Sequence, residues 1–202
     1  ISGGVLMKNP RSLLDNQPLR DLLKDAVDFK SINRNIYSGD LDALIVTAAS
    51  YEQKQSVSFF TTSTSVENWH KVGRSSRETE INVDHLMASV ALPLIFPAVR
   101  IDGEYYGDGA MRQETPLSPA IRLGATNLLI ISTESPKDEV DNSSKKDYPN
   151  FSEIGGYILD GLFSGSLYSD LERLDRINQV ISMNENQTVQ TNTKEMKHID
   201  YL

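Results

Sequence analysis

The sequence has no cysteine among its 202 residues. That excludes disulfides and thiolate metal sites and fits a reducing compartment, so a cytoplasmic location is the expectation. No apolar run approaches the roughly 20 residues of a membrane span, which leaves peripheral contact as the form any membrane association would take. Histidine is scarce: His70, His85 and His198 lie far apart and form no H-x₃-H pair, so a zinc site is not expected. Asp102, Glu104 and Asp108 are too few and wrongly spaced for a calcium loop of the EF-hand kind, and no phosphate-cradling glycine loop occurs. The sequence therefore calls for no cofactor and no metal. Basic residues are in deficit, with 20 Lys and Arg against 28 Asp and Glu, a net charge of −8 and a pI near 4.9. A nucleic-acid partner is not expected at that balance, and bulk charge does not favour steering to an anionic membrane. A leader segment is missing too. The opening Ile1-Ser2-Gly3-Gly4 reads as a cut through a longer protein.

What is present is an alternation of helical-period and strand-like segments, the pattern of an α/β domain. Pro18 sits at a helix start, and Leu19, Leu22, Leu23 and Ala26 then fall on one face of a surface helix. Residues 41–50 have a continuous apolar centre, and 55–62 read as the neighbouring strand of a hairpin whose turn is Tyr51 to Lys54. Residues 61–83 are polar and read as a solvated connector, with Trp69 plugging the core edge. Residues 136–149 are rich in Asp, Ser and Lys, a composition of local mobility. From Phe151 to Ile181 apolar residues recur at helical spacing, interrupted at Gly165-Ser166, which predicts two helices or one kinked helix over about 151–180. Residues 197–202 could begin another strand. The chain shows no internal repeat and no convincing domain boundary.

The stretch from Ile81 to Thr133 carries the most information. Asn82 is a good N-cap for a helix over 84–91 that Pro93 stops; His85 on that helix reads as a satisfied structural histidine. An extended segment covers 98–106, with a turn signal at Asp102-Gly103. Asp108-Gly109-Ala110 follows at the end of the run, and Gly109 can take φ > 0 and present the carboxylate without a Cβ clash. Thr115-Pro116 predicts a helix start with Thr115 as N-cap, Leu117, Ala120 and Ile121 its buried stripe, and Gly124 its end. Residues 127–133 begin Asn127-Leu128-Leu129-Ile130-Ile131, the apolar pattern of a strand buried in a parallel sheet.

His85, Ala88-Ser89, Ala91-Leu92-Pro93, Phe96-Pro97, Ile101-Asp102-Gly103, Asp108-Gly109-Ala110, Pro116 and Leu123-Gly124-Ala125 together resemble the C-terminal half of a patatin-like phospholipase domain of the bacterial type. The likeness runs over about residues 10 to 182 and is strongest from 82 to 133. It implies a partial three-layer α/β fold, a sheet flanked by helices, with residues 1–202 the C-terminal portion of one hydrolase domain. It also implies a lipid or acyl-ester substrate in the intact protein and a transient meeting with a membrane surface. In that family the aspartate of a D-G-[G/A] motif partners a nucleophilic serine, and Asp108 matches it. Glu114 stands where many members carry asparagine, so nothing of that residue's role carries over.

Taken alone, Asp108 would be read as a turn residue capping local N–H groups; within the matched run it is the candidate base. A serine hydroxyl is a weak nucleophile until a neighbouring base takes its proton. A carboxylate improves as that base when burial raises its pKa. The serine itself is missing, since no G-x-S-x-G elbow occurs in the 202 residues. Gly73-Arg74-Ser75-Ser76-Arg77 fails at its fifth position, and Gly161-Leu162-Phe163-Ser164-Gly165 has the wrong spacing. The glycine-rich oxyanion loop is missing as well. The expectation is a fragment of a serine lipid acyl hydrolase, inactive alone, with an uncovered sheet edge and helix face that drive homo-oligomer formation. The competing expectation is a non-catalytic scaffold or binding module that kept the fold and lost the chemistry.

Overall fold

The computed structural model describes residues 12–131, 148–163, 166–185 and 199–201. The chain divides into two compact units, residues 1–119 and 120–202.

The first unit opens with two short helices, α1 (Gln17–Ala26) and α2 (Phe29–Ser38). A proline at the first turn of α1 costs no hydrogen bond, because those N–H groups have no partner within a helix. Asp28 caps α2 by accepting from Ser31 N, and Gly39 ends it at φ +84°, a left-handed conformation that glycine adopts without a Cβ penalty. Leu19 and Leu23 pack against the core as their spacing predicts, whereas Leu22 projects outward at 62% exposure.

A six-stranded sheet follows, with spatial order β3-β4-β2-β1-β6-β5. Its centre is the antiparallel hairpin of β1 (Ala43–Ser50) and β2 (Gln55–Thr62), paired from Ala43↔Thr62 to Ser50↔Gln55. The predicted turn at Tyr51 to Lys54 is where the chain reverses, with Lys54 at φ +54°. Every residue of β2 from Ser56 to Thr62 is buried, as befits a strand with neighbours on both sides. The polar connector expected over 61–83 is more ordered than its composition implies. It contains β3 (His70–Lys71) and β4 (Arg74–Glu78), and β4 runs parallel to β2. Its serines and arginines concealed the strand, because Ser75 and Ser76 are buried through hydrogen bonds rather than apolar surface. Ser75 Oγ accepts from Gln55 Nε2 at 2.9 Å, and Ser76 Oγ from Trp69 N at 2.8 Å. Trp69 does plug the core edge, stacked on Phe60 with ring centroids 5.5 Å apart.

α3 (Val83–Ser89) lies over the sheet and contacts β1, β5 and β6. The extended segment expected at 98–106 is a hairpin of β5 (Val99–Ile101) and β6 (Glu104–Asp108), and β6 reaches two residues further than expected. Asp102 (φ +49°) and Gly103 (φ +94°) form its turn, the left-handed pair that matches strand twist. β6 then joins the central hairpin through Ala48↔Asp108, Ala49↔Gly107 and Ser50↔Tyr106. The core between α3 and the sheet is built from Val46, Ala48, Val57, Phe59, Met87, Ala88 and Tyr106. Phe59 is fully buried and meets two rings edge-on, His85 at 4.7 Å and Tyr106 at 5.2 Å.

At the boundary between the units, the helix predicted from Thr115-Pro116 begins later, as α4 (Ser118–Arg122). Thr115 accepts from Ser118 N through its backbone carbonyl rather than its hydroxyl. Gly124 ends it at φ +101°. Of the buried parallel strand expected at 127–133, the described residues form only the first two positions. Only β7 (Asn127–Leu128) is strand, it pairs with β8 (Asp200–Tyr201) rather than with the six-stranded sheet, and Leu129 and Ile131 are exposed at 76% and 90%. An apolar run marks a segment able to be buried; it does not supply the surface that buries it. Residues 132 and 133 lie outside the described residues, as do 136–147 of the expected mobile loop. The two helices expected further on are α5 (Phe151–Phe163) and α6 (Ser166–Glu185). On α6, Leu174, Asn178 and Ile181 form a buried stripe, and Asn178 clamps both backbone groups of Ile199, donating to its O at 2.8 Å and accepting from its N at 3.2 Å.

Truncating Phe59 removes the ring on which His85 and Tyr106 rest. Phe59→Ala is expected to cost roughly 3–5 kcal/mol, read as a drop in the urea midpoint with an unchanged slope.

Candidate active site

Asp108 is the last residue of β6, and three separate constraints fix its backbone. Its strand pairing sets it opposite Ala48 on β1. Its N–H donates to Ala91 O at 3.0 Å, beyond the C-terminal end of α3. The chain then turns into a single 3₁₀ turn, Gly109–Met111, and Asp108 Oδ1 accepts from Ala110 N at 2.9 Å. This is the Asx-type cap expected of an aspartate in a turn. It uses one carboxylate oxygen, and Oδ2 makes no hydrogen bond to a described residue.

The carboxyl is half-buried. Burial raises its pKa above the ordinary aspartate value, opposed by the Ala110 N–H, which favours the charged form. With no described cation paired to it, the group is a stronger proton acceptor than a solvated aspartate.

Gly109 is required for a reason other than the expected one. Its φ is not in the left-handed region. A Cβ built there would lie 2.3 Å from Thr47 O and 2.9 Å from Thr47 C, both backbone atoms of the central strand. Glycine lets the turn after Asp108 press directly against β1. Thr47 belongs to the same neighbourhood through its side chain, with Gln113 Nε2 at 3.5 Å from its Oγ1 and Ser58 Oγ at 3.3 Å.

The structure separates the remaining candidates. His85 stands away from the carboxylate's hydrogen bonds and completes a capping box at the start of α3. Asn82 N donates to His85 Nδ1 at 3.1 Å, and Asn82 Oδ1 accepts from Asp84 N at 2.9 Å. Its Nε2 is buried without a partner among the described residues. Burial lowers its pKa, against the raising influence of Asp102 and Asp84. It caps α3 as a structural histidine would, but it is not the satisfied one expected, because only Nδ1 has a described partner. Asp102 and Glu104 flank Arg77 instead, at 3.5 and 3.7 Å, with the guanidinium 5.8 Å above the Phe59 ring. Glu104 also accepts from Tyr106 Oη at 2.9 Å, and burial together with that bond pushes the Tyr106 phenol up to about 12. These groups hold the hairpin to the sheet. Thr47 and Tyr51 were not legible as neighbours of Asp108. The available signal was Gly107, a glycine inside a strand, which marks close approach by another group. Among the described residues no group of three or more His, Asp or Glu could hold a metal ion, and no helix is long and apolar enough to cross a membrane.

The described residues thus form a mixed α/β fold, a six-stranded sheet flanked by helices, with a half-buried aspartate at a strand end followed at once by a glycine seated on the neighbouring strand. Residues 1–121 match the family model described as patatin-like phospholipase. The chain belongs to that family. The match includes Asp108, Gly109 and Pro116 and stops short of Leu123-Gly124-Ala125. No curated protein and no solved structure matches the chain.

Three measurements follow from this geometry. Gly109→Ala is expected to destabilise by about 1–3 kcal/mol, because the rigid Thr47 backbone cannot give way to a side chain; thermal unfolding reads it. Asp108 carries a raised pKa, so its contribution to stability is fully present below the unfolded value of 3.8 and is lost as pH rises through the folded one. Asp108→Asn, which can still accept from Ala110 N, is therefore expected to raise Tm at pH 7 and to lose that advantage toward about pH 3. His85 has the opposite sign. Its lowered pKa gives stability present above 6.5 and lost as pH falls through the folded value. His85→Gln keeps a capping-box acceptor and is expected to flatten the fall in Tm between about pH 6.5 and pH 5.

Proposed function

We propose that this chain supplies the base of a Ser–Asp dyad in a lipid acyl hydrolase, with Asp108 as the proton acceptor and the serine on residues outside these 202. The observation that carries the reading is the state of Asp108. One oxygen is held by Ala110 N and the other makes no described hydrogen bond, on a half-buried carboxyl whose pKa burial has raised. Family membership supports the substrate class, an acyl ester of a lipid. The residue pattern supports the bacterial type of the family.

In this reading the serine hydroxyl attacks the ester carbonyl as its proton passes to Asp108. The protonated Asp108 then gives that proton to the departing alcohol. Water enters, Asp108 takes a proton from it as the hydroxide adds to the acyl carbonyl, and Asp108 returns that proton to the serine oxygen as the acyl–serine bond breaks, giving the free acid and the regenerated serine. The oxyanion of each tetrahedral intermediate needs backbone N–H donors, which we assign to the same outside segment as the serine. We read residues 1–202 as the C-terminal portion of that domain. Alone, the chain has a base with nothing to activate. Exposed apolar side chains such as Leu129, Ile131 and Phe151 support self-association of the chain in isolation. A transient meeting with a lipid surface would deliver the substrate to the intact protein.

The test compares two proteins on one short-chain and one long-chain ester. The 202-residue chain is expected to show no hydrolysis above background. In the intact protein Asp108→Asn is expected to lower kcat by about 10²–10⁴, the usual size of general-base assistance. An intact protein indifferent to that substitution would take Asp108 out of the mechanism and leave the scaffold reading.

A further inference from the structure

His85 is set against both elements that hold Asp108. It lies on α3, and just past that helix Ala91 N donates to Ala88 O at 3.2 Å while Ala91 O receives the N–H of Asp108 at 3.0 Å. On its other side the ring meets Phe59 at 4.7 Å, Phe59 meets Tyr106 at 5.2 Å, and Tyr106 is two residues before Asp108 on β6. His85 is 3% exposed, so in a close-packed interior its ring cannot shift without moving a neighbour. Its Nδ1 stands between a donor and an acceptor of one residue, 3.1 Å from Asn82 N and 3.0 Å from Asn82 Oδ1. The neutral ring, with its proton on Nε2, accepts from Asn82 N. The protonated ring has no acceptor left. It releases Asn82 N and offers its new N–H to Oδ1, which already receives Asp84 N at 2.9 Å. A proton on His85 therefore rearranges the capping box of α3, and it charges a ring whose Nε2 is buried without a described partner.

The surroundings offer that cation little. Asp84 on α3 is bound to Arg20 of α1. Asp102 in the β5–β6 turn and Glu104 on β6 both flank Arg77 of β4. Arg100 of β5 lies on the other face of the sheet, over Tyr105. β1 and β2 carry no charged side chain. No described carboxylate is hydrogen-bonded to either ring nitrogen. Burial lowers the pKa of the ring, and Asp102 and Asp84 only oppose it, so the rearrangement belongs on the acid side of the ordinary value of 6.5.

We propose that His85 is a positioning residue for Asp108: the neutral ring keeps α3 and β6 in the arrangement that presents the carboxylate, and a proton on the ring loosens both holds together. The coupling stands without the hydrolase reading; its effect on rate rests on that reading. The first experiment is an NMR titration of the 202-residue chain carrying Asp108→Asn, which removes the carboxylate's own ionisation, and of the same chain with His85→Gln added. Glutamine keeps an acceptor for Asn82 N and takes no proton. From about pH 7 to about pH 5 the amide signal of residue 108 is expected to move along the same curve as the His85 ring, and to stay still in the double variant. Coincidence of the two curves in the single variant decides the matter should the double variant not fold. A ring that stays neutral over that range, a ring that titrates while residue 108 does not move, or an equal movement in the double variant overturns the assignment. The second experiment reads kcat/KM of the intact protein on a short-chain ester. Its acid limb is expected to reach a two-proton fall, about a hundredfold per pH unit, and His85→Gln to return it to the one-proton fall of about tenfold. A one-proton limb that the substitution leaves unchanged overturns the positioning role. An intact protein with no esterase activity, or one fully active with Asp108→Asn, overturns the hydrolase reading and leaves the coupling to the titration.

Discussion

The contact on which the candidate site depends is between two stretches of backbone. Gly109 lies against the carbonyl of Thr47 so closely that no side chain fits between them. That approach brings the 3₁₀ turn onto the central strand, aims the Ala110 N–H at Asp108, and leaves the second carboxylate oxygen uncommitted. The Ala48↔Asp108 register and the bond from Asp108 N to Ala91 O hold the same residue from two further directions. A carboxylate held this way is presented without being neutralised. The arrangement differs from that of Asp102 and Glu104 on the same hairpin, which spend their charge on Arg77.

The outcome for stability follows from the chemistry. A half-buried carboxyl with one N–H donor and no described counter-ion disfavours its own charged form. Nearby, His85 is kept neutral in the core against Phe59. Each is tolerated because surrounding structure determines it: Asp108 by the sheet, His85 by the capping box at α3. The two groups act on stability in opposite directions as pH changes, so acid weakens the α3 cap while it relieves the site.

Legibility in the sequence followed the range of the interaction. Local chemistry was readable. Asn82 as N-cap, Asp102-Gly103 as a turn, Gly124 as a helix stop and the β1–β2 hairpin all stand where residue type and spacing put them. Asp108 was readable through the residues around it, and the family match includes it. Three features were not readable. β4 was hidden because Ser75 and Ser76 are buried by hydrogen bonds to distant partners. The segment beginning at Asn127 looked like a buried strand because apolar composition records a capacity for burial, while its neighbours decide whether burial happens. Gly109 was assigned to φ > 0 because the sequence does not show which strand will lie against a turn.

The β1–β2 hairpin is paired along eight residues and closes through a short turn, whereas β6 meets β1 through three pairs between segments about sixty positions apart. Joining such distant segments carries a larger loop-closure entropy than forming the hairpin, and contacts of this range are gained late in folding and released early in partial opening. The carboxylate therefore sits where the sheet is costliest to close, and the contacts that offset this cost also build the core, since Val99, Ile101 and Tyr106 of the β5–β6 hairpin are buried in it. The integrity of the site and the integrity of the fold are then coupled through that one short hairpin.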